Sequence, residues 1–148
     1  MIVPATFLDS TDAGVDAWAQ QFGLQLAEAH GLRMVSALRE SLDPGPGPRT
    51  GREYTVPGTK TKVRASAAGE HPAVREGTLR DSFQLIPAHV DGDMIRSGAS
   101  SSLTTGDGEY HIAAILNNGT DDGRIEPRPF IDHTLEQLAE ELGGEVVR

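Results

Sequence analysis

The side chains best equipped for chemistry here are five histidines, His30, His71, His89, His111 and His133. Two histidines four apart on one helix face, or an H-E-x-x-H run, would hold zinc, and no pair has that spacing. They read as solvated surface residues. Asp91-Gly92-Asp93 and Asp121-Asp122 bring carboxylates together. A calcium loop needs three spaced oxygen ligands and a distant Glu, and neither stretch continues that way. The first reads as a turn and the second as a solvated loop. "VPGTKTK" lacks the upstream glycine and the Gly-Lys-Ser/Thr ending of a phosphate loop. "TTGDGEY" has glycines but no basic residue and no clear helix start for a phosphate. "SGASSSL" contains no G-x-S-x-G elbow. With no cysteine in the chain, a thiolate zinc site, an iron–sulfur cluster, a disulfide and a cysteine nucleophile are all excluded. The expectation is a protein that is not an enzyme and carries no cofactor or metal.

Charge narrows the partners. The chain has 148 residues, with 13 Lys and Arg against 22 Asp and Glu, for a formal charge of −9. Gripping nucleic acid requires clustered cations that displace counterions, so tight DNA binding and attraction to an anionic membrane are not expected. The opening residues have no basic run followed by an apolar one, so no secretory signal is expected. No apolar stretch nears the 18 residues of a membrane span.

The elements that must position any site follow from periodicity. The length suggests one domain over 1–148, with an N-terminal arm at 1–11, a Pro/Gly loop at 43–52 and a C-terminal tail at 143–148. Ser10, Thr11 and Asp12 offer N-caps. Val15, Trp18, Phe22, Leu26, Ala29, Val35, Leu38 and Leu42 recur at spacings of three and four, with Leu32 nearly filling the one longer gap. One long helix over 12–42 is predicted, weakened at Gly23 and Gly31 by about 1 kcal/mol each relative to Ala. Pro44 and the Pro/Gly alternation after it stop the helix. Tyr54 and Val56 before Pro57-Gly58, with Thr61 and Val63 after, predict a hairpin. That hairpin is either an exposed one with lysines on its edge or a protrusion that touches a neighbour. A short helix is expected near 78–82. A second hairpin is expected around Asp91-Gly92-Asp93, with Pro87 at an edge or bulge. The apolar run 110–116 is strand or helix, which periodicity does not decide. Pro129 suits a first helical position and forces Arg128 to be extended. Ile131, Leu135, Leu138 and Leu142 then form an apolar stripe with Phe130 at its start, and Glu136, Glu140 and Glu141 face away. The fold class expected is α+β: a long N-terminal helix, an antiparallel sheet built from hairpins, and a C-terminal amphipathic helix packed on the sheet.

Two segments carry a resemblance. "AAGEHPAVREGTLRDSF" is similar to segments of the type "APGEPPAVRTGRLRRSI". "AAILNNGT…IEPRPFIDHTLEQL" resembles endings of the type "YAPYLEFGT…MPARPFLRPALEE". Both recur in neck proteins of long-tailed phages, variously called tail-completion, head–tail joining or head–tail connector proteins. Pro72, Gly77, Leu79, Arg80, Gly119, Thr120, Pro127, Arg128, Pro129 and Phe130 match, and the order of elements agrees over about 15–142. The sequence departs at Asn118, where the family has an aromatic, at Asn117, where it has an acid, and at Arg124 or Ile125, where it has Met. The resemblance implies a virion structural protein located in the neck and made in the host cytoplasm. It implies a homo-oligomeric ring, commonly six-fold. Its neighbours would be a head-side adaptor or stopper ring and a tail-side terminator or tube protein. DNA would pass without specific binding. A tail-terminator ring is the close alternative within this class, and a small acidic cytoplasmic binding or inhibitor module the alternative outside it. Arg128, Arg80, Arg75, Lys60, Lys62, Gly119 and Thr120 are the expected interface residues. Glu136, Glu140 and Glu141 are the expected acidic surface, a candidate lumen lining, since carboxylates repel passing phosphates.

Overall fold

The computed structural model of the protein describes residues 12–42, 49–72 and 77–143. Helix α1 (Asp12–Ser41) ends one residue short of the predicted 12–42. Strands β1 (Glu53–Thr55) and β2 (Lys62–Arg64) pair antiparallel as one hairpin, with Tyr54 opposite Val63. A single-turn helix α2 (Thr78–Asp81) leads into the longer hairpin of β3 (Phe83–Asp91) and β4 (Met94–Ser101). Helices α3 (Ile112–Asn118) and α4 (Phe130–Leu142) complete the chain. The class is α+β, with two separate two-stranded sheets.

Local chemistry explains the second hairpin. Asp91 pairs with Met94, so the two-residue turn is Gly92-Asp93, one residue later than the Asp-Gly reading. Gly92 alone takes a positive φ of 60°, the pattern of a II′ turn with glycine at its first central position. The pairing slips between Ile86 and His89, where Pro87 lies, so the proline without an N–H sits at a bulge as expected. The undecided run 110–116 resolves as helix α3, entered through a single bridge between Thr104 and His111.

Helix α1 lies along the β3–β4 hairpin and meets α4 at its C-terminal half. It approaches the hairpin through glycines. A Cβ on Gly31 would sit 2.2 Å from Ser97 Oγ and 2.7 Å from Leu85 Cδ1, and one on Gly23 would lie 2.5 Å from Ile95 Cδ1. The core gathers below: Val35, Leu38 and Leu42 of α1 with Phe83, Ala113 and Phe130. Phe83 and Phe130 meet edge to face, centroids 6.4 Å apart, an arrangement worth about 0.5–1.5 kcal/mol beyond the area buried. Through this contact α4 packs on the sheet.

Two apolar stripes differ from expectation. In α4 the buried residues are Phe130, Thr134 and Leu138; Ile131 and Leu135 are half-buried and Leu142 is exposed. Thr134 can sit inside because its hydroxyl donates to the Phe130 carbonyl at 2.7 Å. In α1 only the last three turns reach the core. Val15, Trp18, Phe22, Leu26 and Leu32 are exposed by 36–54 %. Val15, Trp18, Phe22 and Leu26 lie roughly a third of a turn around the axis from the glycine face that meets the hairpin. A two-stranded hairpin is too narrow to cover both faces.

Candidate interaction surface

Arg128 is the best-connected of the expected interface residues, and its partners lie in its own chain. Its Nε donates to Ser66 Oγ and its Nη2 to the Ser66 carbonyl, both at 2.9 Å, and its Nη1 donates to the Glu126 carbonyl at 3.1 Å. The Arg128 amide donates to the Leu116 carbonyl at 2.8 Å. The two flanking prolines hold this geometry. Pro129 (φ −74°, ψ 54°) centres an inverse γ-turn in which the Phe130 N–H donates to the Arg128 carbonyl at 2.7 Å. Pro129 therefore precedes the first helical residue instead of being it. Pro127 offers its carbonyl to the Gly69 N–H at 3.1 Å.

Glu70 completes this clasp. Its carboxylate accepts from Thr50 Oγ1 at 2.6 Å, from the Ala67 N–H at 2.7 Å and from the Thr50 N–H at 3.2 Å. The Thr50 hydroxyl bond, then the Ala67 amide, hold the Glu70 carboxyl below the usual carboxylate range, with a smaller pull from the Arg128 charge. The two segments that carry the family resemblance thus meet in space, and their meeting point is the base of the β1–β2 hairpin. Gly51 donates to the Ala65 carbonyl at 3.1 Å there. Above this base the hairpin packs mainly on itself.

Gly119 and Thr120 also serve the chain internally. Gly119 takes φ 77° and ψ −172°, and a Cβ there would lie 2.8 Å from the Ile125 carbonyl oxygen. Thr120 closes the loop: its N–H donates to the Ile125 carbonyl at 2.9 Å and its hydroxyl to Asp122 at 2.7 Å. Arg80 pairs with Asp81 at 2.9 Å. Lys62 pairs with Glu53 at 3.2 Å, and Lys60 is exposed in the hairpin turn. Arg75 lies outside the described residues, as do the N-terminal arm, most of the Pro/Gly loop and the C-terminal tail beyond Gly143. Glu136, Glu140 and Glu141 are exposed on α4, and Glu141 bonds Arg33 of α1 at 3.0 Å.

Sequence reasoning gave no role to Ser66, Glu70 and Thr50, and marked Asn117 only as a departure from the resembling segments. Asn117 is 7 % exposed. Its Oδ1 accepts the Ile131 N–H of α4 at 3.0 Å, and its Nδ2 donates to Asp132 at 3.1 Å and to Asn118 at 2.9 Å. The departure from the family pattern at this position therefore points inward and caps a helix. Its sequence signals were that departure and a polar pair before a glycine at the end of an apolar run.

Among the described residues, three surfaces face outward. One is the α1 stripe, where Trp18 and Phe22 stack with centroids 5.6 Å apart. The second is the β1–β2 hairpin with its approach, where Arg49, Arg52, Lys60, Lys62 and Arg64 face a single acid, Glu53. The third is the acidic face of α4. A cleft of about 400 Å³ between α1, the β3–β4 hairpin, α3 and α4 is apolar apart from Ser101 and His111, and the Ser101 hydroxyl pairs with Ser82 at 2.7 Å. Among the described residues, no helix is long and apolar enough to cross a membrane. Compared with known protein families, curated proteins and solved structures, the chain matches none.

Proposed function

We propose that this protein is a structural component of a long-tailed phage virion, a ring in the neck that joins tail to head and lets DNA pass. The observation that carries the reading is the ordered pair of resembling segments, from Pro72 to Arg80 and from Gly119 to Phe130. The exposed apolar stripe on α1 supports it. A Trp, a Phe, a Leu and a Val in one contiguous exposed stripe fit an assembly subunit better than a protein that works alone. The acidic balance also fits a channel for DNA, because a carboxylate-rich wall does not retain phosphates. Glu136 and Glu140, exposed on α4, would contribute to such a wall beside Glu141, which pairs with Arg33. The partners are further copies of this chain, a head-side ring and a tail-side terminator or tube protein.

Deleting the gene from its parent genome and imaging the lysate by electron microscopy tests this reading. DNA-filled heads beside detached tails are expected. Abnormally long tails would move the protein to the terminator role. Intact infectious particles would overturn the neck assignment and favour an acidic binding module, which competition with DNA for a basic protein would then reveal.

A further inference from the structure

The apolar stripe and the basic hairpin are complementary and lie at opposite ends of α1. The hairpin base is tied to the C-terminal end of the helix, where His71 Nδ1 bonds the Ser41 carbonyl at 3.0 Å. The stripe centres near Phe22. At 1.5 Å per residue, about 28 Å of helix separates Phe22 from Ser41. Within one chain the two surfaces stand well apart; between two copies they can meet head to tail.

Their chemistry also matches. Residues 12–32 contain Asp12, Asp16 and Glu28 but no Lys or Arg. The N-terminal half of α1 therefore carries net negative charge as well as the apolar stripe, with exposed Asp16 and Glu28 about a third of a turn around the axis from it. The hairpin offers the reverse: half-buried Tyr54, Val56 and Val63 set among basic residues. Lys60, Arg52 and Arg49 have no side-chain partner among the described residues. DNA is a poorer occupant for this hairpin, because the body behind it is strongly acidic and repels phosphates at long range.

We infer that the β1–β2 hairpin of one copy docks on the Val15–Trp18–Phe22–Leu26 stripe of the next. Such a contact joins two different patches, so it is heterologous and generates a ring when the rotation closes. The inference rests on the ring reading for its biological setting, but the contact itself is a property of the purified chain.

Because the chain has no cysteine, paired cysteines report the contact cleanly. Lys60→Cys and Phe22→Cys are prepared as separate full-length variants, both at exposed positions, and their folding is checked by thermal melts. Mixed and oxidised, they are expected to give a covalent heterodimer at least fivefold above either variant alone. Lys62→Glu placed in the Lys60→Cys chain, or added salt, should lower that yield several-fold. A Phe22→Cys homodimer as the dominant product would overturn the proposal in favour of symmetric helix pairing. No cross-link above that of an Asp93→Cys control mixed with Phe22→Cys would also overturn it, leaving the stripe to a different protein. The gene deletion tests the neck assignment separately. Intact particles together with a positive cross-link would reject the neck and keep the contact.

Discussion

At the scale of single residues, Arg128 lies clamped between Pro127 and Pro129. The prolines limit the backbone so that one guanidinium spans the Ser66 hydroxyl, the Ser66 carbonyl and the Glu126 carbonyl. Replacing Arg128 with Ala leaves partly buried acceptors without donors, at a cost of about 1–3 kcal/mol. Arg128→Lys should recover little, since an ammonium cannot reproduce the planar fork. Urea denaturation measures both. Amide exchange should rise at Thr50 and Ala65, at the hairpin base, more than in the β3–β4 hairpin. Glu70 adds a pH dependence. Its folded carboxyl is held below its ordinary value, so its contribution is present above the unfolded pKa near 4.5. It is lost as pH falls through the lowered folded value. Glu70→Gln should therefore flatten the stability profile as pH falls below about 4.5, read from melts across the acid range.

At the scale of elements, close approach and capping decide which substitutions the fold tolerates. Gly31 abuts Ser97, Leu85 and the Gly98 backbone. Gly31→Ala should destabilise by about 1–3 kcal/mol through overpacking, despite the roughly 1 kcal/mol gained in helix propensity. Gly23 meets mainly the mobile tip of Ile95, so Gly23→Ala should be close to neutral. A comparison of the two midpoints in denaturant checks the contrast. Asn117→Ala removes the cap on α4 and should cost about 1–2 kcal/mol. Melting temperature reports that loss, and amide exchange at Ile131 locates it.

At the scale of the whole molecule, the residues that hold the fold lie apart from those proposed for assembly. The core occupies the half of the molecule around Leu38, Phe83 and Phe130, and the N-terminal half of α1 shows its apolar stripe to the outside. Trp18→Gln combined with Phe22→Gln should change unfolding midpoints little, because both side chains are already more than a third exposed. The same change should abolish self-association in light scattering and incorporation into particles. A large loss of stability with association intact would show that the stripe serves the fold. Thus Arg128 bonds within its own chain, and the stripe and hairpin are the surfaces proposed for assembly.

Most element boundaries were legible in the sequence because they rest on local physics. The 3.6-residue period, the Pro/Gly stop, the Pro57-Gly58 turn and the Pro87 bulge each act within a few residues. The absence of cysteine likewise settled the excluded thiol chemistry without any coordinates. What periodicity cannot encode is which face finds a partner. Val15, Trp18, Phe22 and Leu26 have the spacing of a core stripe, yet glycines at 23 and 31 turn a different face to the hairpin. The run 110–116 was too short for periodicity to arbitrate, and it folds as α3, whose Asn117 caps α4. The roles of Arg128, Ser66, Glu70 and Asn117 join residues as far as 62 positions apart. Only the tertiary structure brings those donors and acceptors within hydrogen-bonding distance, and so it alone decided that the arginine between the prolines ties together distant parts of its own chain.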